Sequence, residues 1–270
     1  MSLDQALLES VNQSQIPMLR FYQWTEPTLS LGYFQKLADR NQHVASSDAN
    51  CVRRSTGGGS ILHHHELTYS IAIPVTSSHS GARLDLYQGM HAIISDALSD
   101  WSIKAVPHRD INHRTIDCRP TPLTTPPAAT TLAKTNGVTS DQPPPGPQSS
   151  TTAGGISDEA LLCFQRRTDE DLIVSGYKIL GSAQRRAKNA VLQHGSLLLQ
   201  ASPFAPELPG VLNLGSRPLC EKELAQAIST SFSQRWQIDF QASKVSVDET
   251  TRAREIAATR FNSTSWLKRR

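Results

Sequence analysis

Apolar positions recur at helical spacing in SLDQALLESV, where Leu3, Ala6, Leu7 and Val11 share one face. Ser2 is placed to cap that helix, and Gln5 stands at the reciprocal position of a capping box. MLRFYQW and TLSLGYF read as two strands parted by a turn at Pro27. CVRR and SILHHHELTYSIAIP predict two more strands, one on each side of three consecutive glycines. LDLYQGMHAIISDALSDW returns to the helical period. LLCFQ and DLIVSGYKILGSAQ alternate as strands, with Ser175-Gly176 as a turn, and NAVLQHGSLLLQ is a further strand. KELAQAISTSFSQRW and TTRAREIAATRF read as closing helices. Strands and helices mix without strict βαβ alternation. The expected fold is therefore α+β, with a mixed, mostly antiparallel central sheet packed with helices.

Residues 119–157 break the pattern. They hold eight of the sixteen prolines and almost no large apolar side chain. Such a stretch cannot bury enough surface to offset its ordering entropy, so it reads as a disordered Pro/Thr/Ser-rich insertion. Strand-like sequence resumes beyond it, which predicts one domain made of 1–118 and 158–270. The net charge of +3 is only mildly basic, and no dense Lys/Arg block precedes the Lys268–Arg270 tail. Nucleic-acid binding is not expected; an acidic protein partner is compatible with this balance. Asp4 and Glu9 interrupt any signal-peptide pattern, and no run of eighteen apolar residues predicts a membrane span. Cys51, Cys118, Cys163 and Cys220 form no CxxC pair, which fits a reduced, cytoplasmic protein without a metal site.

Four features carry candidate chemistry. In RRSTGGG, residues 53–59, glycines let the backbone approach a ligand and present N–H groups to it, and two arginines can hold a phosphate or carboxylate. The motif lacks GK[ST] and the GxGxxG spacing, so it is no Walker loop. A ligand-free glycine hairpin explains it equally well. Lys178 lies in the otherwise apolar strand of GYKILGSAQRR, where it either faces solvent or is paired inside a pocket. Cys163, in LLCFQ, is a core residue unless a positive group or a base activates it. His63 and His65 share a face if their strand is regular, but no third metal ligand at fitting spacing accompanies them.

Taken together, RRSTGGGSILHHHELTYS resembles the RRxxGG-x-x-x-x-H-x-x-x-LTYS signature of the biotin/lipoate protein ligase superfamily. KILGSAQRR with LQHGSLLL resembles its second signature. The resemblance covers 1–118 and 158–215. It implies a mixed sheet packed with helices, and attachment of lipoate, octanoate or biotin to a lysine of a small acidic carrier domain. It implies that Arg54, Gly57, Gly58 and Gly59 form a loop over the acyl chain, with His63 and Tyr69 near it. Lys178 would bind the acyl carbonyl oxygen. Gly181, Ser182 and Ala183 would line the tunnel, and His194 and Gly195 would close it.

Two chemistries share that scaffold. Lipoate-protein ligases use ATP and Mg to form lipoyl-AMP. Octanoyltransferases need no such cofactor; they take octanoate from octanoyl-acyl carrier protein onto a cysteine, then pass it to lipoyl domains of 2-oxoacid dehydrogenases or to glycine-cleavage H protein. Cys163, just upstream of the lysine strand, resembles the catalytic cysteine of the transferases, whereas ligases tend to carry glycine near there. Two closing helices after residue 215 leave little room for the ligases' extra domain. Gly59 points the other way, toward the ligases' GGG. The resemblance thus favours octanoyltransferase over lipoate ligase, with biotin ligase less close. A non-catalytic acyl-carrier-binding module is a further alternative.

Overall fold

The computed structural model describes residues 1–75, 81–112, 160–215 and 217–270. The expected insertion at 119–157 and Cys118 lie outside the described residues. All the elements below belong to one unit, drawn from Met1–Cys118 and Ala160–Arg270.

Six antiparallel-paired strands form the larger sheet, in the order β1 (Met18–Tyr22), β5 (Glu66–Pro74), β9 (Ala190–Leu198), β8 (Tyr177–Arg186), β7 (Leu172–Val174) and β6 (Val106–Pro107). A smaller sheet has β2 (Thr28–Leu31) at its centre, parallel to β3 (Asn50–Arg53) and antiparallel to β4 (Ile61–His63). The expected mixed, mostly antiparallel α+β fold is what forms.

The larger sheet has two unlike faces, because side chains alternate along each strand. Leu67, Tyr69 and Ile71 of β5 join a core with Leu86, Met90 and Ile94 of α2 (Ala82–Ser99). Short α3 (His108–Asn112) and α4 (Val211–Leu214) precede α5 (Glu221–Trp236), which adds Leu224, Ile228 and Phe232 to that core. The opposite face is small and polar. Register aligns Gly181, Ser196, Thr68 and Tyr22 in one row across β8, β9, β5 and β1, and Ala183, His194, Ser70 and Arg20 in the next. Helix α1 (Ser2–Ser14) packs Leu8 and Val11 on Ala72 and Leu192, and Ala6 meets Ile256 of α6 (Val247–Ile256). A π-turn at Ala257–Phe261 leads to α7 (Thr264–Leu267). Among the described residues no helix is long and apolar enough to cross a membrane.

Three local expectations are corrected. SILHHHELTYSIAIP is two strands, not one: β4 pairs in the small sheet, the chain turns at His64 and His65, and β5 enters the large sheet. His63 and His65 therefore do not share a strand face; His65 Nδ1 instead meets the Ala201 carbonyl. LLCFQ is not a strand. It makes one parallel bridge, Ser60 to Leu162, then tightens into a 3₁₀ turn at Cys163–Gln165. Its apolar run reflects burial of Leu161, Leu162 and Phe164 rather than ladder pairing. Met1, not Ser2, is the helix cap residue, and no side chain caps there.

Candidate active site

The glycine run and Cys163 are joined directly. Ser60 donates its N–H to Leu161 O at 2.9 Å, and Cys163 N–H donates to Ser60 O at 2.6 Å. Gly59 is what allows it. A Cβ there would stand 3.1 Å from Cys163 N and from Leu161 O, main-chain atoms that cannot swing away.

Both arginines of the motif are committed to main-chain carbonyls. Arg54 is buried and donates to Ser30 O at 2.8 Å and to Gly57 O and Gly59 O at 2.7 Å, fixing the loop's shape. Burial pushes its pKa down to about 10, while the facing Cys163 thiol pulls the other way. Arg53, with no exposed surface, donates to Leu267 O, Gly32 O and Gln35 O at 2.5–3.0 Å. It clamps α7 to the β2 loop.

Lys178 is buried on β8, and its ammonium is surrounded by acceptors. Nζ lies 2.8 Å from Asp171 Oδ2, 3.1 Å from Cys163 O, 3.2 Å from Arg166 O and 3.6 Å from Cys163 Sγ. The solvent-facing alternative for Lys178 does not form. The tight Ser175-Gly176 turn, with φ of 48° and 83°, sends β8 back along β7 and so returns Lys178 toward Asp171.

A cavity of about 210 Å³ lies over the small-residue face. Its lining includes Cys163, Arg54, Gly57 and Gly58 on one side, and Gly181, Ser182, Ala183, His194 and Gly195 on the other, with His63 between. Gly59, Tyr69 and Lys178 support this lining from behind. Tyr69 packs so close that a Cβ on Gly195 would stand 2.3 Å from its Cε1. Its hydroxyl donates to Ser182 Oγ at 2.6 Å and accepts from Gln193 Nε2 at 2.7 Å. His194 Nε2 meets Thr56 Oγ1 at 3.0 Å. Burial, with Arg54 and the amino terminus nearby, pushes His194 down to about 4 against the pull of Asp4.

Several groups in and around the wall escaped the sequence reading. Glu66 is fully buried and accepts from His63 Nδ1 and Thr68 Oγ1, both at 2.6 Å, and from Ser196 Oγ. Burial would raise its pKa, but His63 and these hydrogen bonds lower it. The His63 ring stacks on Trp24 at 4.1 Å. His91 of α2 donates from Nδ1 to Glu170 O at 2.6 Å, so Nε2 accepts from Ser182 Oγ at 2.7 Å. Asp171 had a usable signal: it directly precedes β7, whose Ile173 pairs with Lys178 across a two-residue turn. Glu66 meets His63 and Thr68 locally where β4 gives way to β5, and His91 reaches Ser182 from a helix, so no single period singles either out.

A half-buried cysteine 3.6 Å from a buried lysine, beside a narrow cavity lined by small residues, marks the candidate active site. Residues 1–213 match the lipoyl protein ligase A/B catalytic domain, and the chain belongs to that family. The chain is similar to octanoyltransferase LipM of Carboxydothermus hydrogenoformans, at 26% identity over 100% of this chain and 93% of that one. It is 28% identical to octanoyltransferase LipM of Brevibacillus brevis, over 100% and 94%, and 33% identical to that of Staphylococcus aureus over 73% and 60%. In fold it is similar to a lipoate-protein ligase A solved with ATP, with TM-score 0.65, 18% identity and coverage of 99% and 92%. A bipartite lipoate protein ligase from Thermoplasma acidophilum, studied with its E2 lipoyl domain, gives TM-score 0.64, 16% identity and coverage of 99% and 89%.

Proposed function

We propose that this protein moves an octanoyl group from octanoyl-acyl carrier protein to a lysine of lipoyl domains or glycine-cleavage H protein, through a thioester on Cys163. The carrying observation is the 3.6 Å approach of Lys178 Nζ to Cys163 Sγ at the cavity wall. Cys163 Sγ attacks the donor thioester carbon; the new C–S bond forms, the donor C–S bond breaks, and the carrier leaves as its thiol with the proton from Cys163. The acceptor amine then attacks the acyl-enzyme carbon; the amide C–N bond forms, the acyl C–S bond to Cys163 breaks, and Cys163 recovers a proton lost from nitrogen. Lys178 donates to the tetrahedral oxygen in both steps by giving up one of its bonds to the Cys163 and Arg166 carbonyls. A donor so placed is worth about 10²–10³ in rate. The Cys163 amide does not serve, being bonded to Ser60 O.

The cavity suits a short chain. Its volume of about 210 Å³ exceeds the roughly 150 Å³ that admits benzene in an engineered protein cavity. It falls below the roughly 300–1,000 Å³ of pockets for drug-sized ligands, which an acyl-adenylate approaches in size. The resemblance to ATP-dependent ligases raises a second reading, favoured by Gly59. Here, however, Gly59 has its own reason, the packing of Cys163 against it. The lining also fits a triphosphate poorly. Arg54 turns both terminal nitrogens of its guanidinium to main-chain carbonyls, and the amino terminus faces Asp4 at 3.4 Å. No ATP or Mg step is therefore assigned.

Incubation with octanoyl-acyl carrier protein, without ATP, should add one octanoyl mass to the intact chain, and Cys163→Ser should abolish it. No adduct, together with ATP-dependent lipoylation of an apo-domain, would establish the ligase instead. Binding of carrier without any transfer would identify a non-catalytic module.

A further inference from the structure

The turn Thr168–Asp171 is held from several directions. Asp171 Oδ2 accepts the Thr168 amide at 2.6 Å and, from the other side, Lys178 Nζ at 2.8 Å. The preceding residue is gripped by α2: His91 Nδ1 donates to Glu170 O at 2.6 Å, and Gln88 Nε2 to Glu170 Oε1 at 2.8 Å. Arg109 pairs with the same carboxylate. The main chain adds His108 N–H to Asp171 O at 2.9 Å and Arg109 N–H to Asp169 O at 3.0 Å. This bracing converges on Asp171, whose carboxylate pairs with Lys178 Nζ at 2.8 Å and whose side chain, like that of the lysine, is only 2% exposed.

We propose that Asp171, fixed by the His91-braced turn, is the positioning residue that keeps the Lys178 ammonium aimed at Cys163; this rests on the transferase reading above. A buried ammonium without a counter-ion is strongly disfavoured. Without the carboxylate, Lys178 Nζ loses the partner that holds it at 2.8 Å, and with it its place beside Sγ. The same His91 ring accepts from Ser182 Oγ, so one side chain ties the cavity wall to the turn that serves the lysine.

The test compares wild type, Asp171→Asn, Asp171→Glu and His91→Gln. Two readouts are taken: kcat and KM for octanoyl transfer, and the iodoacetamide alkylation rate of Cys163 followed by peptide mass. Asp171→Asn should lower kcat about 10²-fold with KM for the donor within about twofold. It should slow Cys163 alkylation about tenfold. Asp171→Glu should recover part of both, and His91→Gln should show smaller losses in the same two readouts. Unchanged alkylation in a folded Asp171→Asn protein would overturn the proposal, as would a loss carried by KM alone. If Asp171→Asn does not fold, alkylation in Asp171→Glu and His91→Gln decides, and wild-type rates in both would overturn it. Alkylation needs no acyl donor, so failure of this inference is distinguishable from failure of the transferase reading, which the octanoyl adduct reports.

Discussion

Cys163 and Gly59 touch through their main chains: an added Cβ on Gly59 would lie 3.1 Å from Cys163 N and 3.2 Å from Cys163 Cα. The glycine run therefore serves the placement of Cys163, the proposed nucleophile, as much as any ligand's. Gly59→Ala must push two bonded segments apart, an overpacking cost of about 1–3 kcal/mol. The displacement falls on Cys163, whose distance to Lys178 is set by that contact. Octanoyl transfer should drop at least about tenfold, as small misplacements of reacting groups do. Thermal unfolding and the transfer rate, measured on the same preparation, check this. Full activity with lowered stability would show that Cys163 tolerates the shift.

The two arginines of RRSTGGG should separate in their effects. Arg53 makes its bonds to the carbonyls of Leu267, Gly32 and Gln35 with no solvent access. Lysine presents one point charge where these need a fork. Arg53→Lys should cost about 3 kcal/mol, from lost charge-assisted bonds worth roughly 1.5–3 kcal/mol each. Arg54 holds the loop that lines the cavity, so Arg54→Lys should raise KM for the acyl donor with a smaller loss of stability. Denaturant titration together with Michaelis kinetics separates the two. Equal destabilisation with unchanged KM in Arg54→Lys would remove the loop from substrate binding.

Gly195 offers a test of the wall. A Cβ there would meet Tyr69 Cε1 at 2.3 Å and Ser182 Oγ at 2.5 Å. Tyr69 cannot retreat, being 1% exposed and bonded to Gln193 and Ser182. Gly195→Ala should therefore unfold at lower temperature and, where folded, take shorter acyl chains in preference to octanoyl. A chain-length series of acyl-carrier thioesters reads this out. An unchanged preference would mean that Gly195 limits packing only.

Much of this was legible in the sequence, for identifiable reasons. The long amphipathic runs of α2, α5, β5, β8 and β9 carry their period plainly, and the order of RRSTGGG, GYKILGSAQRR and LQHGS along the chain points to the family. Three things were hidden. LLCFQ looks like a strand because it is buried on both sides, although it pairs only once. The break at His64–His65 has no Pro or Gly to mark it; two sheets claim its two ends. Glu66, His91 and Gln193 look like ordinary strand or helix polar positions. Glu66 meets Thr68 locally, whereas only tertiary packing brings His91 to Ser182 and Gln193 to Tyr69.

Buried titratable groups set the pH dependence of stability. Burial alone would raise Asp4, but the amino terminus and Arg20 pull it from 3.8 to about 2. A depressed carboxyl stabilises the fold above its unfolded value and loses that contribution as pH falls through the folded one. Asp4 thus supplies about 2 kcal/mol at neutral pH, lost between roughly pH 4 and 2. His91 follows the same sign. Burial chiefly, with Lys178 adding to it, pushes it from 6.5 to about 4. The unfolded chain takes up a proton there that the fold refuses, which removes about 3 kcal/mol as pH falls from 6.5 to 4. Stability should therefore decline in two stages on acidification. Urea titrations from pH 8 to pH 2 check this. His91→Gln should reduce the first stage, to which His194, also held down to about 4, contributes the rest, and Asp4→Asn the second, each against a wild-type curve. If His91→Gln leaves the slope between pH 6.5 and 4 unchanged, the imidazole is not held neutral by its burial.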